Sequence, residues 1–297
     1  MIKEKKLKQK NKVLVTISYL LMAFFAICIL APFYVVLITS FKHAQEASNS
    51  TIMFTYWPKQ GFTLEAYVDV LFNDYTISST GFSSILIGFK NTLMILVPPA
   101  AIGLFSSSLA GYSFAKLEFR GKKLIFTILI STMMIPGTLT MVPAYMWYNT
   151  LGWIGTVLPL IVHACFGGAV ATFFMRQYYS GIPTDLVEAA SLDGLGSFMI
   201  FIKIMIPLSV PALIAQGVLS FVSACNAYLG PLIYIQSQGL SKFYTLQIAL
   251  KNFQLNHMND YPLLMAATII ALIPELLIYM FGQRYFVEGI ATTGIKL

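Results

Sequence analysis

The sequence is poor in charged residues. Only 10% of its 297 residues are charged, whereas 57% are hydrophobic, and the mean hydropathy is +0.75. This composition excludes a cytosolic enzyme, because soluble domains carry about 25% charged residues. The nineteen basic residues outnumber the twelve acidic ones, but they lie in short blocks between long apolar runs and form no single basic region. Nucleic-acid binding is therefore not indicated.

Residues that build metal centres, disulfides and nucleotide sites are also scarce. The three histidines, His43, His163 and His257, are far apart in the chain, and no CxxC pair occurs. Each of the three cysteines lies inside an apolar run, at positions 28, 165 and 225, which excludes an extracellular disulfide framework and predicts small core residues. No GxxxxGK[ST] sequence is present, so this chain is not expected to bind ATP itself. We predict no metal site and no catalytic residues.

Long apolar runs are what the sequence does contain. A transmembrane helix needs about 20 predominantly apolar residues. Six runs meet this requirement and predict an all-α integral membrane protein with six transmembrane helices. The predicted spans are Val13–Phe41, Asn91–Ala115, Leu124–Trp147, Trp153–Tyr178, Pro207–Ile235 and Pro262–Phe281.

The distribution of Lys and Arg predicts how the spans are oriented. If the N-terminus is cytoplasmic, fourteen of the nineteen basic residues fall in cytoplasmic segments. Cytoplasmic loops carry an excess of Lys and Arg, so this arrangement places both termini in the cytoplasm. The predicted division is a basic N-terminus at 1–12, span one at 13–41, an outer segment at 42–90, spans two to six at 91–281 and a C-terminal tail at 282–297.

The cytoplasmic connection between spans four and five, residues 182–207, has the most informative pattern. Pro183, Thr184 and Asp185 are typical of a helix start, because Pro needs no amide partner in a first turn, Thr can cap it, and an acidic residue suits its positive end. Gly194 favours the left-handed conformation that ends a helix. A second amphipathic helix is predicted from about Ser197 to Met205. The pattern predicts a surface helix–turn–helix that docks a partner, with a plain surface elbow as the alternative.

This connection resembles a known motif. Glu188-Ala189-Ala190-Ser191-Leu192-Asp193-Gly194, followed after nine residues by Ile204-Met205-Ile206-Pro207, is similar to the EAA loop of binding-protein-dependent ABC importer permeases. One departure is Leu195, where the family usually has a small residue. The ending, residues 283–296, is similar to that of the maltose-type carbohydrate permeases, specifically the subunit with six spans and a short tail.

The resemblance implies a permease subunit of an ATP-driven importer for a sugar or oligosaccharide, in a bacterial or archaeal cell membrane. Its partners would be a second permease, two ATPase subunits and an extracytoplasmic solute-binding protein. ATP and Mg would be bound by the ATPase subunits, and this chain would bind no cofactor and catalyse no reaction. The residues implied to couple to the ATPase are Glu188, Ala189, Ala190, Asp193, Gly194 and Pro207.

Further contacts follow from the same resemblance. The tail would reach between the ATPase subunits, with Gln283, Arg284, Gly289 and Gly294 as its contact residues. A positively charged stop signal after the last span is the alternative, and it explains the arginine but not the two glycines. The last outer connection would reach into the binding protein. Its candidate contact residues are Asn252, Asn256 and His257.

Polar groups inside the predicted spans need an explanation, because they are costly in hydrocarbon. His163 and Asn226 could line the translocation path or simply hydrogen-bond across helices. Glu275 is predicted to have a partner on another helix. The serines at 106–108 and 113 are predicted to allow close helix packing. Two alternative functions stay open: a permease for a non-sugar solute, and a membrane channel that works without ATP.

Overall fold

Helices are the regular secondary structure of the residues that the structure, a computed structural model, describes. These are residues 2–48, 57–73, 83–235 and 239–294, with side chains described over 15–47, 57–73, 83–235 and 239–283. No strand occurs in these ranges. Several of the helices are long and apolar enough to cross a membrane. The predicted all-α integral membrane fold is therefore confirmed.

The chain divides into two compact units. The first comprises Met1–Asn73 and Gln254–Ile269, and the second comprises Asp74–Phe253 and Ile270–Leu297. In the first unit, α1 is Ile2–Ser40, α2 is Ala44–Ser48 and α3 is Glu65–Phe72. The side chain of Glu46 accepts hydrogen bonds from the backbone amides of Lys59 and Gln60, at 2.9 and 3.1 Å. These bonds hold the segment before α3 against α2.

The second unit contains the remaining helices. Their bounds are α4 Ser84–Ile95, α5 Val97–Lys116, α6 Lys122–Thr132, α7 Gly137–Thr150, α8 Leu158–Cys165, α9 Ala169–Ser180, α10 Asp185–Leu192, α11 Ser197–Ile200, a π-helix Phe201–Met205, α12 Ile206–Leu208, α13 Val210–Cys225, α14 Leu229–Tyr234, a 3₁₀ turn Ser241–Phe243 and α15 Leu246–Asn256. The last helix, α16, is Tyr261–Gly294 and begins in the first unit.

Four helical segments are long and apolar enough to cross a membrane, namely Val15–Ser40, Ser84–Lys116, Leu158–Ser180 and Tyr261–Gln283. Two further pairs of helices are long and apolar enough only when each pair is taken together. They are α6 with α7, bent by 99°, and the helix Ser197–Leu208 with α13, bent by 80°. The number of spans is therefore four, or up to six if each bent pair is one span. The sequence analysis did not predict either bend, and the number and bounds of the predicted spans stay a prediction.

Proline accounts for both bends. Pro136 follows α6 closely, and a residue before proline is pushed out of the helical region, so the helix ends before it. In the second pair, Pro211 has no amide for the preceding turn, and Ser209 leaves the helical region at φ −100° and ψ 7°. The apolar run identifies the membrane segment, but the prolines decide that it is not straight.

Small residues bring α5 and α9 into close contact. A Cβ built on Gly111 would lie 2.8 Å from both the backbone nitrogen of Arg176 and the Cβ of Met175. Serines of α5 also bond to the residue before α9 and to the end of α8. The Ser107 hydroxyl accepts a hydrogen bond from the Gly168 amide at 3.1 Å, and the Ser106 hydroxyl donates to the Cys165 carbonyl at 3.0 Å. The serine-rich stretch of span two therefore packs helices, as predicted. Of the cysteines, Cys225 is buried, but Cys28 is exposed, which corrects its assignment to the core.

Candidate functional site

The connection between α9 and α13 folds into a short helix with a tight ending. Helix α10 begins at Asp185 and ends at Leu192. The amide of Gly194 donates to the Ser191 carbonyl at 3.0 Å, and the amide of Leu195 donates to the Ala190 carbonyl at 3.1 Å. Gly194 has φ +85°. These two bonds and the left-handed glycine form a Schellman ending, as the sequence predicted for Gly194.

The capping of the first turn of α10 differs from the prediction. Thr184 has φ −70° and ψ −29°, which is already helical, and its side chain makes no capping bond. Instead its hydroxyl oxygen lies 3.4 Å from the Lys116 ammonium at the end of α5, which also donates to the Ile182 carbonyl. The sequence predicted a local cap, whereas the structure uses a lysine from another helix to hold the loop.

The two alanines of α10 have different environments. Ala190 is 5% exposed and belongs to a buried cluster, whereas Glu188, Ala189, Asp193 and Gly194 are exposed. Leu192 is 89% exposed, which is unusual for a large apolar side chain in a structured helix. Composition alone did not single out Leu192, because the helical period of so short a helix does not fix which leucine faces outward. We call the exposed face formed by Glu188, Ala189, Leu192 and Asp193 the docking face.

The opposite face rests on a tightly packed support. We call its buried residues the support cluster: Tyr112, Met175, Tyr179, Ala190, Ile200, Phe201, Met205 and Ala212. They come from α5, α9, α10, α11, the π-helix and α13. Leu195, the departure from the family pattern, is partly buried against this cluster, which gives its larger side chain a packing role. Helix α10 is thus seated on helices that belong to the membrane segments.

Hydroxyl groups fasten the support cluster together. The Tyr179 hydroxyl lies 2.6 Å from the Ser108 hydroxyl and 3.1 Å from the Ser209 hydroxyl, so one side chain joins α9 to α5 and to the bend before α13. The neighbouring Tyr178 hydroxyl donates to the Leu208 carbonyl at 3.0 Å. The bonds to Ser209 and Leu208 thus connect α9 to the segment of the 80° bend. Pro207, the last of the predicted coupling residues, lies in this segment and is exposed.

The predicted second helix of the loop is interrupted. A normal α-helical turn over Ser197–Ile200 passes into a π-helix over Phe201–Met205, in which Phe201 and Met205 are fully buried. Phe198 is 58% exposed. π-Helical turns occur frequently at functional sites, and the amphipathic pattern alone gave no sign of one.

His163 lies between two hollows in the second unit. It lines a cavity of about 550 Å³ that is bordered by α5, α9 and α13, including Ser107 and Gln216. It also lines a second hollow of about 400 Å³, which includes Tyr148 and Tyr234. The side chain itself is exposed. His163 is therefore accessible from two sides at a point where α8 and α9 are separated by Gly167 and Gly168.

Asn226 takes part in a polar cluster of three helices. Its amide nitrogen donates to both carboxylate oxygens of Glu275, at 3.0 and 3.1 Å, and its oxygen accepts from the amide of Gln247 at 3.3 Å. Asn226 is the partner on another helix that the sequence predicted for Glu275. The geometry is compatible with both roles predicted for Asn226. It hydrogen-bonds across helices, and its exposed side chain could also line a translocation path.

The remaining predicted sites are only partly described. Gln283 is exposed, while for Arg284, Gly289 and Gly294 only the backbone lies within the described residues, and it continues α16. Asn252 and Asn256 lie in α15, and His257 follows it. Within the described part of the chain, no group of three His, Cys, Asp or Glu side chains could hold a metal ion.

Comparison with known proteins identifies the family. Residues 103–292 match the family described as "Binding-protein-dependent transport system inner membrane component". This chain belongs to that family. The match covers α10, the support cluster and the His163 region.

Similar proteins cover most of the chain. The arabinooligosaccharides transport system permease protein AraQ of Bacillus subtilis (strain 168) is 34% identical over 229 residues, which are 76% of this chain and 79% of AraQ. The inner membrane ABC transporter permease protein YcjP of Escherichia coli (strain K12) is 30% identical over 276 residues, covering 93% of this chain and 94% of YcjP.

A solved structure has the same fold. A chain of a bacterial ABC transporter involved in the import of the acidic polysaccharide alginate superposes with a TM-score of 0.76, at 21% identity, over 93% of this chain and 98% of that chain. This permease is accordingly an inner membrane component of a binding-protein-dependent transport system, with several membrane-spanning helices.

Proposed function

We propose that this permease carries a sugar or oligosaccharide through the membrane as one of two permease subunits of an ATP-driven importer. The names of several relatives support the solute class, since AraQ is named for arabinooligosaccharides and AglG of Rhizobium meliloti (strain 1021) for alpha-glucosides. An extracytoplasmic binding protein delivers the solute, and two separate ATPase subunits bind ATP and Mg and hydrolyse the nucleotide. This chain catalyses no reaction.

The observation that carries the ATPase coupling is the two-sided character of α10. Its docking face exposes Glu188, Leu192 and Asp193 with no partner in the described chain, while Ala190 is buried in the support cluster. An exposed leucine beside carboxylates suits a protein interface, where an apolar anchor is surrounded by polar groups. A force applied to this face would reach α5, α9 and α13 through the support cluster. The tail residues Gln283, Arg284, Gly289 and Gly294 would add a second contact.

This function requires α10 on the cytoplasmic side. The basic residues near it support that orientation, since Lys116, Arg120, Lys122 and Lys123 lie in the neighbouring connection. Both termini are then cytoplasmic. His163 and Asn226 belong to the translocation path in this proposal, and Asn252, Asn256 and His257 face the binding protein.

The coupling is tested by recovering the assembled transporter from native membranes with a tagged chain. We expect an ABC ATPase and a second permease to be recovered with the wild type. In this proposal Glu188 pairs with a basic residue of the ATPase. Glu188→Ala is expected to reduce ATPase recovery at least tenfold, because truncating one partner of a buried interfacial charge pair costs about 2–5 kcal/mol. Quantitative mass spectrometry of the recovered proteins measures this ratio.

Glu118→Ala is the matched control. Glu118 is also an exposed carboxylate in the connection next to α10, and its only ion pair in the described chain is with Lys122. Its removal should leave ATPase recovery within a factor of two. If the wild-type chain is recovered without an ATPase, the importer proposal is wrong and the ATP-independent channel is favoured. An equal loss of ATPase recovery in the two variants would show that the docking face has no specific role in binding the ATPase.

A second solute class is favoured by one relative. The osmoprotective compounds uptake permease protein GgtD of Synechocystis sp. (strain ATCC 27184 / PCC 6803 / Kazusa) is 33% identical over 209 residues, 70% of each chain. Uptake of labelled oligosaccharides and of small osmoprotective solutes by cells with and without this permease separates the two classes. Loss of uptake only for the small solutes would overturn the oligosaccharide assignment.

A further inference from the structure

A basic cavity in the second unit is lined by none of the residues of the docking face. It occupies about 860 Å³ between the end of α5, the start of α6 and α9, all within the second unit. Three cationic side chains line it: Lys122, Lys123 and Arg176. Glu118 is the one carboxylate among its lining residues, and it pairs with Lys122 at 2.9 Å. The cavity therefore has an excess of positive charge.

The cavity is also strongly aromatic. Phe114, Phe119 and Phe126 form part of its wall, and the Arg176 guanidinium lies 4.1 Å from the ring centre of Phe126. The Nε atom of Arg176 is buried and has no hydrogen-bond partner. A buried donor without an acceptor costs free energy, so this geometry favours a ligand that brings an anionic oxygen to Arg176.

The position of the cavity matches the surface of a bilayer. Arg176 lies four residues before the end of the candidate span Leu158–Ser180, which places it about 6 Å from the helix end. Lys122 and Lys123 begin α6, the next apolar segment. Leu124, at the edge of the cavity, and Ile128, one turn further along α6, are 66% and 56% exposed and form an apolar surface that begins at the cavity. Cations are thus placed at the depth of a headgroup, with apolar side chains at the depth of an acyl chain.

We propose that this cavity binds the phosphate of an anionic phospholipid, with Arg176 and Lys123 as its main ligands and the exposed face of α6 in contact with an acyl chain. Basic pockets between transmembrane helices on the cytoplasmic side are suited to such headgroups. The cytoplasmic location rests on the orientation in the proposed function. Because Arg176 follows Met175 and precedes Tyr178 and Tyr179 on α9, the lipid would bind next to the support cluster.

The test measures lipid binding to the purified full-length chain by native mass spectrometry, during titration with phosphatidylglycerol or phosphatidylcholine. We expect the wild type to bind phosphatidylglycerol at least fivefold more tightly. Lys123→Gln, at an exposed position, and Arg176→Gln should each reduce this preference to less than twofold. Arg120→Gln is the matched control, since Arg120 belongs to the same short connection but does not line the cavity. It should keep at least a threefold preference.

Several outcomes would overturn the proposal. Equal binding of the two lipids by the wild type would exclude an anionic lipid site. If Arg120→Gln lowers the preference for phosphatidylglycerol as much as Lys123→Gln does, the lipid is attracted by the general positive charge of the connection and not by a site. Displacement of the lipid by millimolar inorganic phosphate would identify a free phosphate as the ligand. The measurement needs no ATPase, so a failure here is distinct from a failure of the importer proposal, which is decided by the recovered partners.

Discussion

The packing around α10 differs sharply from that around His163, although both belong to the second unit. Under α10, the side chains of Met175, Tyr179 and Phe201 are completely buried. Around His163, the helices are interrupted by glycines and enclose two hollows of about 550 and 400 Å³. In the proposed function α10 receives force from the ATPase and the region around His163 passes the solute. Tight packing suits the first role, whereas the second needs space and helices that can rearrange.

The same difference appears in the polar contacts. Near α10, hydroxyl groups of Tyr179, Ser108 and Ser209 bond to one another and are buried. Away from α10, the side chains of Asn226, Glu275 and Gln247 bond to one another but remain accessible. Buried bonds fix one arrangement of helices, whereas accessible ones can be exchanged for bonds to a solute. We therefore expect the first region to be the more rigid of the two.

The largest effect is expected when a side chain in each region is shortened. Met175→Ala should lower the free energy of unfolding in detergent by about 2–5 kcal/mol, because it leaves a cavity in the support cluster. Val170→Ala, next to the 550 Å³ cavity, should change it by less than about 1 kcal/mol, since Val170 is 61% exposed. Denaturant titration of the two variants measures the difference. Similar losses would mean that the two regions are packed alike.

Adding volume provides the second test. Gly111→Ala should destabilise the protein by about 1–3 kcal/mol, because the new methyl group would meet the backbone of Arg176 and the side chain of Met175. Gly137→Ala is the control, since nothing lies within 4 Å of a Cβ built there. Thermal unfolding followed in detergent distinguishes them. A stable Gly111→Ala protein would show that α5 and α9 can move apart freely.

The third test addresses the ending of α10 and not its packing. Gly194→Ala should disfavour the native turn by about 1–2 kcal/mol, because φ is +85° and an L-residue is strained there. Gly196→Ala is matched to it, since both positions have open space but Gly196 has φ −70°. ATPase recovery from native membranes should fall several-fold only for Gly194→Ala. Equal recovery from the two would remove the need for the left-handed turn.

The smallest expected effect concerns a single hydroxyl. Tyr179→Phe should cost about 0.5–1.5 kcal/mol, the usual net value of a hydrogen bond, because Ser108 and Ser209 lose their shared partner. Tyr148→Phe, beside the second hollow, should have a smaller effect on stability. Unfolding in detergent measures both. A larger loss for Tyr148→Phe would reverse the proposed order of rigidity.

Local chemistry was predicted well where it depends on nearby residues. The left-handed Gly194, the start of α10 at Asp185 and the packing serines of α5 were each predicted from residue types within a few positions. The Thr184 cap was wrong because Lys116, sixty-eight residues away in the chain, holds that part of the loop instead. The 99° and 80° bends were missed because hydropathy averages over a window and takes no account of backbone direction.

The sequence by itself determined that this is a helical membrane protein and where α10 begins and ends, because hydrophobicity and turn chemistry act over short stretches of chain. Only the tertiary structure decided which side chains of α10 face the support cluster, that Asn226 is the partner of Glu275, and that Lys122, Lys123 and Arg176 share a cavity. Those facts depend on contacts between helices distant in sequence. Such contacts are set by shape and close packing, which residue order alone does not specify.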